Sequence, residues 1–468
     1  MGKYKTLALN SIYVFVGGGL SKIVSFVMLP FYTKWLTAKQ FGEVDLISVY
    51  SSLLLGLCTF CVAEAIFVMP QNESIERQKK FYTTGIVYTI VLLLIAGLCI
   101  MGICNYLSNK GIDNFFIYNK WYIYMMIVVT FFQVYSQQFS RALNAVKIFS
   151  FTGVVQALST ATLGIILIPK YGLIGYIYSM ILSSILAILY TTIFSHSYKY
   201  FSLRNLDKTI YKDLLKYSFP LVPNSLMFWV VNALNKPIIE AHVGLAAVGI
   251  LAVANKFPSV ITMCFELFSK SWQISMMEEY RKDGFNSFFN NIFKLIVIFL
   301  CLLGSLLAVF SDIIINLFTS AEFESAAYYM PLLGFSVVLT CIGYFVGAIF
   351  LAAKESKYFF YSSIIGALVS LICNIIFIPL FGLIGAILSI IFSFASIAFA
   401  RILYSRKFVR ITEIKQFVLT MLLYMVLIFM CMYTHIFVLK IAMFLFFAVL
   451  SLFIYRDSYR LILKKIIK

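Results

Sequence analysis

Ile168-Pro169-Lys170-Tyr171-Gly172-Leu173-Ile174-Gly175 recurs 210 residues later as Ile378-Pro379-Leu380-Phe381-Gly382-Leu383-Ile384-Gly385. Six of the eight positions are identical, and each copy joins two long apolar runs. The same offset pairs Ala142, Lys147 and Phe149 with Ala352, Lys357 and Phe359, and an offset of 207 pairs Pro30 and Gly42 with Pro237 and Gly249. A single Pro–Gly punctuation is an ordinary membrane loop. Several matches at a nearly constant offset are the mark of duplication. A duplicated, mostly apolar chain is the expected form of a transporter built from two homologous halves.

Composition sets the solvent. Of 468 residues 62% are hydrophobic and only 12% charged, against roughly a quarter charged in soluble domains. That much apolar surface has no place to hide in water, so the surroundings must be lipid. The net charge of +18 would suggest nucleic acid in a soluble protein. Here the bases cluster between apolar runs, so membrane topology explains them better. Nine Cys lie almost wholly within apolar stretches; Cys58 and Cys61 form a CxxC with no second pair, and His196, His242 and His435 are scattered. Core thiols are the expectation, with no metal or redox site. The N-terminal apolar run carries Lys3 and Lys5 but no small-residue cleavage site, and is expected to be an uncleaved first span.

A window of roughly 19 residues predicts an all-α polytopic protein with about 14 spans. Six spans, about 8–32, 44–69, 81–104, 116–139, 148–168 and 172–195, form an N-terminal bundle over residues 1–195. A basic cytoplasmic linker occupies 196–216. Six more spans, about 217–240, 246–269, 290–311, 328–351, 358–378 and 382–404, form a second bundle over 217–404. An added helix pair lies in 405–455, at about 416–433 and 436–455, followed by a basic cytoplasmic tail, 456–468. With the N-terminus cytoplasmic, 28 of 37 bases fall on the inner side and six (Lys34, Lys39, Lys110, Lys120, Lys170 and Lys440) on the outer, as the positive-inside rule requires. The basic clusters, one of them comprising Arg401, Arg406, Lys407, Arg410 and Lys415, are expected against anionic headgroups. Because six spans return the chain to its starting side, the repeats are parallel, around a central cavity.

A charge at mid-membrane costs ~2.5–3.5 kcal/mol on insertion scales, so it should face a wet cavity or a partner. Lys22 shares a face of span one with Gly18, Ser21 and Ser25. Span eight carries Lys256, Ser259, Met263, Glu266 and Lys270 on one face, with Asn255 beside it, and span seven carries Ser225, Asn232 and Lys236. Span two has Glu64 and Asp45; span four has Gln133, Gln137, Ser140 and Arg141, and span five has Gln156. Substrate-binding candidates are therefore Lys22, Lys256, Lys236, Ser21, Ser25, Asn232 and Asn255, with cations suited to a phosphate or pyrophosphate. Lys236 lies near a span end, where snorkelling to the interface is equally open. Glu64 and Glu266 are candidates for ion coupling or for salt bridges with the lysines.

No catalytic constellation, phosphate loop or metal spacing is present, and extramembrane segments are short. The chain is expected to be neither an enzyme nor cofactor-dependent, and to draw on an ion gradient, the membrane potential or the substrate gradient.

The run Asn10–Pro30 leading into Ala38-Lys39-Gln40-Phe41-Gly42, the segment Ala254-Asn255-Lys256-Phe257 and the two Ile-Pro-x-(Tyr/Phe)-Gly-Leu-Ile-Gly loops together resemble the polysaccharide transporter family. This family is typified by O-antigen and capsule-unit flippases within the multidrug/oligosaccharidyl-lipid/polysaccharide exporter superfamily. The resemblance extends over about residues 1–405. It implies two six-span bundles and a cationic cavity that carries a polyprenyl-pyrophosphate-linked oligosaccharide across a bacterial cytoplasmic (inner) membrane by alternating access. Lys22 and Lys256 match positions where such flippases place cavity cations. The partners implied are lipid-linked oligosaccharide, membrane lipids and other polysaccharide-assembly membrane proteins, with no nucleic acid. The extra pair departs from twelve-span flippases and resembles the arrangement in lipid II flippases. Two alternatives are a multidrug exporter of the same superfamily, which would favour an acid-lined cavity, and an integral-membrane polysaccharide polymerase, which would need a large outer loop.

Overall fold

The computed structural model describes residues 3–71, 73–434 and 436–455, all helix, turn or loop. Two units divide the chain, Met1–Trp229 and Val230–Lys468. The boundary falls inside a helix, Leu221–Ala233, beyond the basic 196–216 segment.

The first unit contains α1 (Lys3–Val27), α2 (Leu29–Trp35), α3 (Ala38–Thr59), α4 (Val62–Val68), α5 (Ile75–Asn109), α6 (Phe115–Tyr118) and α7 (Lys120–Ala142). Then come α8 (Val146–Phe194), α9 (Lys208–Ser218) and most of α10 (Leu221–Ala233). Thr37 and Gln40 close a reciprocal capping box that starts α3. In α9, Ile210, Leu214 and Ser218 are buried at i, i+4 and i+8, while Lys208, Lys212 and Lys216 stay exposed. This amphipathic helix packs on α4 and α5, which is why the basic segment belongs with the first unit.

The second unit holds the end of α10, then α11 (Asn235–His242), α12 (Leu245–Lys256), α13 (Pro258–Glu279), α14 (Phe285–Val309), α15 (Ser311–Phe318) and α16 (Ala326–Ala352). It ends with α17 (Lys357–Ser405), α18 (Ile414–Tyr433) and α19 (Phe437–Ile454). The duplication is visible in the element boundaries. Displaced by 207 residues, the start of α3 falls on the start of α12, and α8 and α17 each run for 49 residues.

A straight 49-residue helix would be about 74 Å long, far more than a hydrocarbon core of about 30 Å. Neither helix is straight. Gly172 (φ 55°, ψ −128°) and Gly382 (φ 60°, ψ −131°) occupy a backbone region open only to glycine, and each reverses the chain. Three residues on, Gly175 lies against the Leu167 carbonyl and Gly385 against that of Phe377, too close for any Cβ. The Ile-Pro-x-aromatic-Gly-Leu-Ile-Gly motif thus encodes an antiparallel helical hairpin. Polar links join its legs: in α8 Thr152 to Thr191 (2.9 Å), Gln156 to Ser184 (3.1 Å) and Thr160 to Ser183 (2.7 Å). In α17 the Ser393 hydroxyl donates to Gly366 O (2.9 Å) and Arg401 Nε to Ser362 Oγ (3.1 Å).

Among the described residues nine helices are long and apolar enough to cross a membrane, or ten with the bent pair α12–α13. Two of the nine are the hairpins, each of which supplies two crossing legs. The remaining predicted spans fall on α7, whose polar content includes Gln133, Gln137 and Gln138, and on the shorter α10–α11.

The added pair is an integral part of the second unit. Tyr424 of α18 is fully buried, with its hydroxyl against Gly304 of α14, and Phe417 packs on Phe293. Asn290 on α14 accepts from the Thr412 N–H and donates to Arg410 O. Lys294 pairs with Glu413, and Lys440 of α19 with Asp312 of α15 at 2.6 Å.

Candidate functional site

In the first unit α1 packs on α8 through Gly17, which lies directly against the Ser150 backbone. Ser21 faces the same neighbour near Gly153. The Ser21 hydroxyl donates to Gly18 O (2.9 Å) and that of Ser25 to Ser21 O (3.0 Å). Such back-bonding satisfies a hydroxyl on a helix in lipid. Lys22 and Ser25 project from α1 without being covered by protein.

Glu64 lies in the first turn of α4, directly after a break in the helix. Phe60 (φ 48°) and Cys61 (φ 56°) both adopt the left-handed conformation, which is costly for residues with a side chain. The Glu64 carboxylate accepts from Gln138 Nε2 at 3.2 Å. One turn further, Arg141 is sandwiched over the rings of Phe67 (3.9 Å) and Phe149 (5.3 Å). Of the polar residues expected on spans four and five, Gln133 and Gln156 bind each other through both amide groups (2.6 and 3.0 Å). They are a packing lock between α7 and α8, not part of a wet face.

In the second unit Asn232 is exposed near the end of α10, Asn235 is buried, and Lys236 is half-buried on α11. Asn255 and Lys256 are exposed at the last turn of α12, where the helix's negative end favours a cation. The chain bends by 44° at Phe257–Pro258 before α13 begins. Ser259 donates back to the Lys256 carbonyl. Asn255, Lys256 and Ser259 are therefore brought together at a bend, whereas Glu266 lies further along α13, near Tyr344 and Cys341 of α16.

One sequence expectation is corrected, and one residue proves buried. Arg401, expected against headgroups, is only 4% exposed. Its guanidinium donates to Ser362 and to Gly343 O (3.0 Å) and lies over Phe359 (4.0 Å) and Tyr344 (5.5 Å). Gly343 and Gly347 give it room, because neither carries a side chain. Lys440, counted among outer-side bases, is buried on Asp312. Counting charges by their distance from span ends cannot distinguish a base in a loop from one folded back between helices. The tail bases Arg456, Arg460, Lys464, Lys465 and Lys468, and His435, lie outside the described residues. Among the described residues no group of three or more His, Cys, Asp or Glu could hold a metal ion.

This fold is that of the MurJ and MATE transporters. The chain is similar to the lipid II flippase MurJ in an inward closed conformation, with a TM-score of 0.71 and 19% identity over 96% of this chain and 99% of that one. It is also similar to an inward-facing multidrug resistance MATE family transporter of the MOP superfamily (TM-score 0.55, 16% identity, 87% and 94% covered). A MOP superfamily transporter from Pyrococcus furiosus gives 0.52 at 17% identity, with 86% and 95% covered. No curated protein matches the sequence. The polysaccharide biosynthesis protein family model matches residues 7–272, more than half of the chain. The chain belongs to the polysaccharide biosynthesis protein family.

Proposed function

We propose that this protein is a flippase that moves a polyprenyl-pyrophosphate-linked oligosaccharide, an O-antigen or capsule repeat unit, from the cytoplasmic to the outer leaflet of a bacterial cytoplasmic membrane. The observation that carries this reading is a pair of lysines on apolar helices, one in each unit. Lys22 projects from α1 and Lys256 from the bend after α12, and neither is covered by protein. A cation on a membrane helix is costly where it meets lipid and suits a wet, cargo-facing surface, and a pyrophosphate is the anionic group that such a surface would take. Ser21, Ser25, Asn232, Asn255 and Lys236 supply further hydrogen-bond donors for the phosphates and sugars. The bend at Phe257–Pro258 is a place where α12 and α13 can change their angle during alternating access. Glu64 and Glu266 couple the cycle to an ion gradient or to the membrane potential. Both termini lie in the cytoplasm, and other polysaccharide-assembly membrane proteins supply and consume the cargo.

The test is the fate of lipid-linked sugar in cells deleted for the chain. Accumulation of the undecaprenyl-pyrophosphate oligosaccharide on the cytoplasmic face, with loss of surface glycan, is the expected result. Unchanged lipid-linked pools together with new drug sensitivity would replace this reading with drug export.

A further inference from the structure

Ile148 and Tyr358 stand 210 residues apart, at the same place on the first leg of the two hairpins. The turn that precedes each leg has been kept. Asn144 (φ 60°) and Lys354 (φ 57°) both take the left-handed conformation. Asn144 N–H donates to Arg141 O and Lys354 N–H to Leu351 O, while Ala145 N–H and Glu355 N–H reach back to Ser140 O and Phe350 O. What surrounds the turn has diverged. In the second copy the Tyr358 ring packs on Phe350, Tyr404 and Phe408, with centroids 5.8, 5.4 and 5.8 Å away. Its hydroxyl accepts from Lys407 Nζ (3.0 Å), and the Ser405 hydroxyl donates to Ile402 O (2.8 Å). In the first copy the corresponding residues Ile148, Phe194 and Ser195 border an open cavity of about 420 Å³.

The polar wall of this cavity comes from Gln78, Asn144, Ser195 and Tyr200, and its lining includes no Lys, Arg, Asp or Glu. Three of the four are fixed before any ligand arrives. Gln78 Nε2 donates to Pro70 O (3.2 Å), and Asn144 is set by its turn. The Thr83 hydroxyl donates to Tyr200 O (3.1 Å) and accepts from the Ser202 N–H (3.0 Å), which ties the Tyr200 segment to α5. The Ser195 hydroxyl is buried with no hydrogen-bond partner among the described residues. A change of rotamer towards a ligand would therefore give up no bond. Amides and hydroxyls without charge exchange hydrogen bonds with a ligand rich in hydroxyl groups. The Phe194 and Tyr200 rings offer apolar surface to the C–H face of a sugar. A phosphate or carboxylate would call for a base in the lining. The volume lies within the ~300–1,000 Å³ of small-molecule pockets and suits one or two sugar rings.

We infer that this cavity binds an uncharged sugar unit, and that the sugar is the head of the lipid-linked cargo, held on the side of the basic 196–216 segment before translocation. The choice of the cargo as the source rests on the flippase reading; the sugar chemistry rests on the lining alone.

The experiment is saturation-transfer NMR on the full-length chain in lipid nanodiscs, with no lipid-linked sugar present. The probes are the methyl glycosides of glucose, galactose and N-acetylglucosamine. Saturable transfer to at least one of them, not displaced by equimolar glycerol, is expected. Ile148→Tyr, which installs the residue that fills the second copy, should abolish it, and Ile148→Val should keep it. Ser195→Ala, which fills nothing, should weaken binding by about fivefold. Each variant is compared at an unchanged size-exclusion profile. Two competitors separate the sources. Oligosaccharide released from the cells' own lipid-linked pool should displace the probe, whereas glucosyl-diacylglycerol in the nanodisc should not. Absence of saturable transfer, equal displacement by glycerol, or full binding by Ile148→Tyr would overturn the site. Displacement by the glycolipid alone would overturn the cargo as its occupant. Because cargo is absent from the binding assay, a failure here leaves the flippase reading standing. A chain that binds the glycoside but moves no lipid-linked sugar would overturn the flippase reading and keep the sugar site.

Discussion

Arg401 Nε donates to Ser362 Oγ at 3.1 Å, and the two residues stand where Thr191 and Thr152 stand 210 residues earlier. The duplicated hairpin has kept one cross-link in both copies while changing its chemistry. In the first copy two hydroxyls bind each other in a space that needs nothing more. In the second the guanidinium reaches on to Gly343 O and covers the Phe359 ring.

Arg401→Ala should leave an unfilled space in the second unit and strand the Gly343 carbonyl. A loss of about 2–4 kcal/mol is expected, read as earlier thermal unfolding of the detergent-solubilised protein. The double change Arg401→Thr with Ser362→Thr, which installs the first copy's pair, should lose less than the single Arg401→Ala. Equal losses would show that the cross-link contributes nothing of its own.

Gly172→Ala and Gly382→Ala test the hairpin turns. A Cβ in that backbone region costs roughly 1–3 kcal/mol, so both variants should lower the yield of monodisperse protein. Pro169→Ala, which leaves the reversal residue untouched, should be milder in the same size-exclusion assay.

The Lys440–Asp312 pair holds α19 to α15, with a buried lysine facing a half-exposed carboxylate. Removing only the acid leaves an uncompensated cation, so Asp312→Asn should destabilise by about 3 kcal/mol. Combining it with Lys440→Met should recover most of that loss. A double-mutant cycle on thermal unfolding separates the two cases.

Asp207 caps α9 outside the membrane and is held down to about 2 by the Thr209 hydroxyl and backbone N–H, with Lys80 adding to the effect. Its unfolded value is about 3.9. The stabilisation is therefore fully present above the unfolded value and is lost as pH falls towards 2. Hydrogen exchange over residues 197–218 should speed up across that interval, and Asp207→Asn should abolish the pH dependence.

The reversals were legible in the sequence because Gly172 and Gly382 sit in motifs repeated at fixed distance, and because only glycine accepts their backbone angles. The order of the apolar helices was legible because lipid is demanding, but their limits were less so: the span expected at 81–104 runs Ile75–Asn109. The break at Phe60–Cys61 was not legible, because neither residue is a helix breaker. The burial of Arg401 and Lys440 was also hidden, because each depends on a glycine pair or a carboxylate far away in the chain. Of the candidate site, the residues on one turn or bend, such as Asn255, Lys256 and Ser259, could be grouped from helical spacing. The Glu64–Gln138 contact, between residues 74 positions apart, could not.

The most direct measurement is translocation of fluorescent lipid-linked oligosaccharide in cells or proteoliposomes carrying Lys256 variants at matched membrane levels. Lys256→Ala should abolish outer-leaflet delivery while inserting normally, and Lys256→Arg should retain part of it. Full delivery by the alanine variant would contradict the cationic-site account.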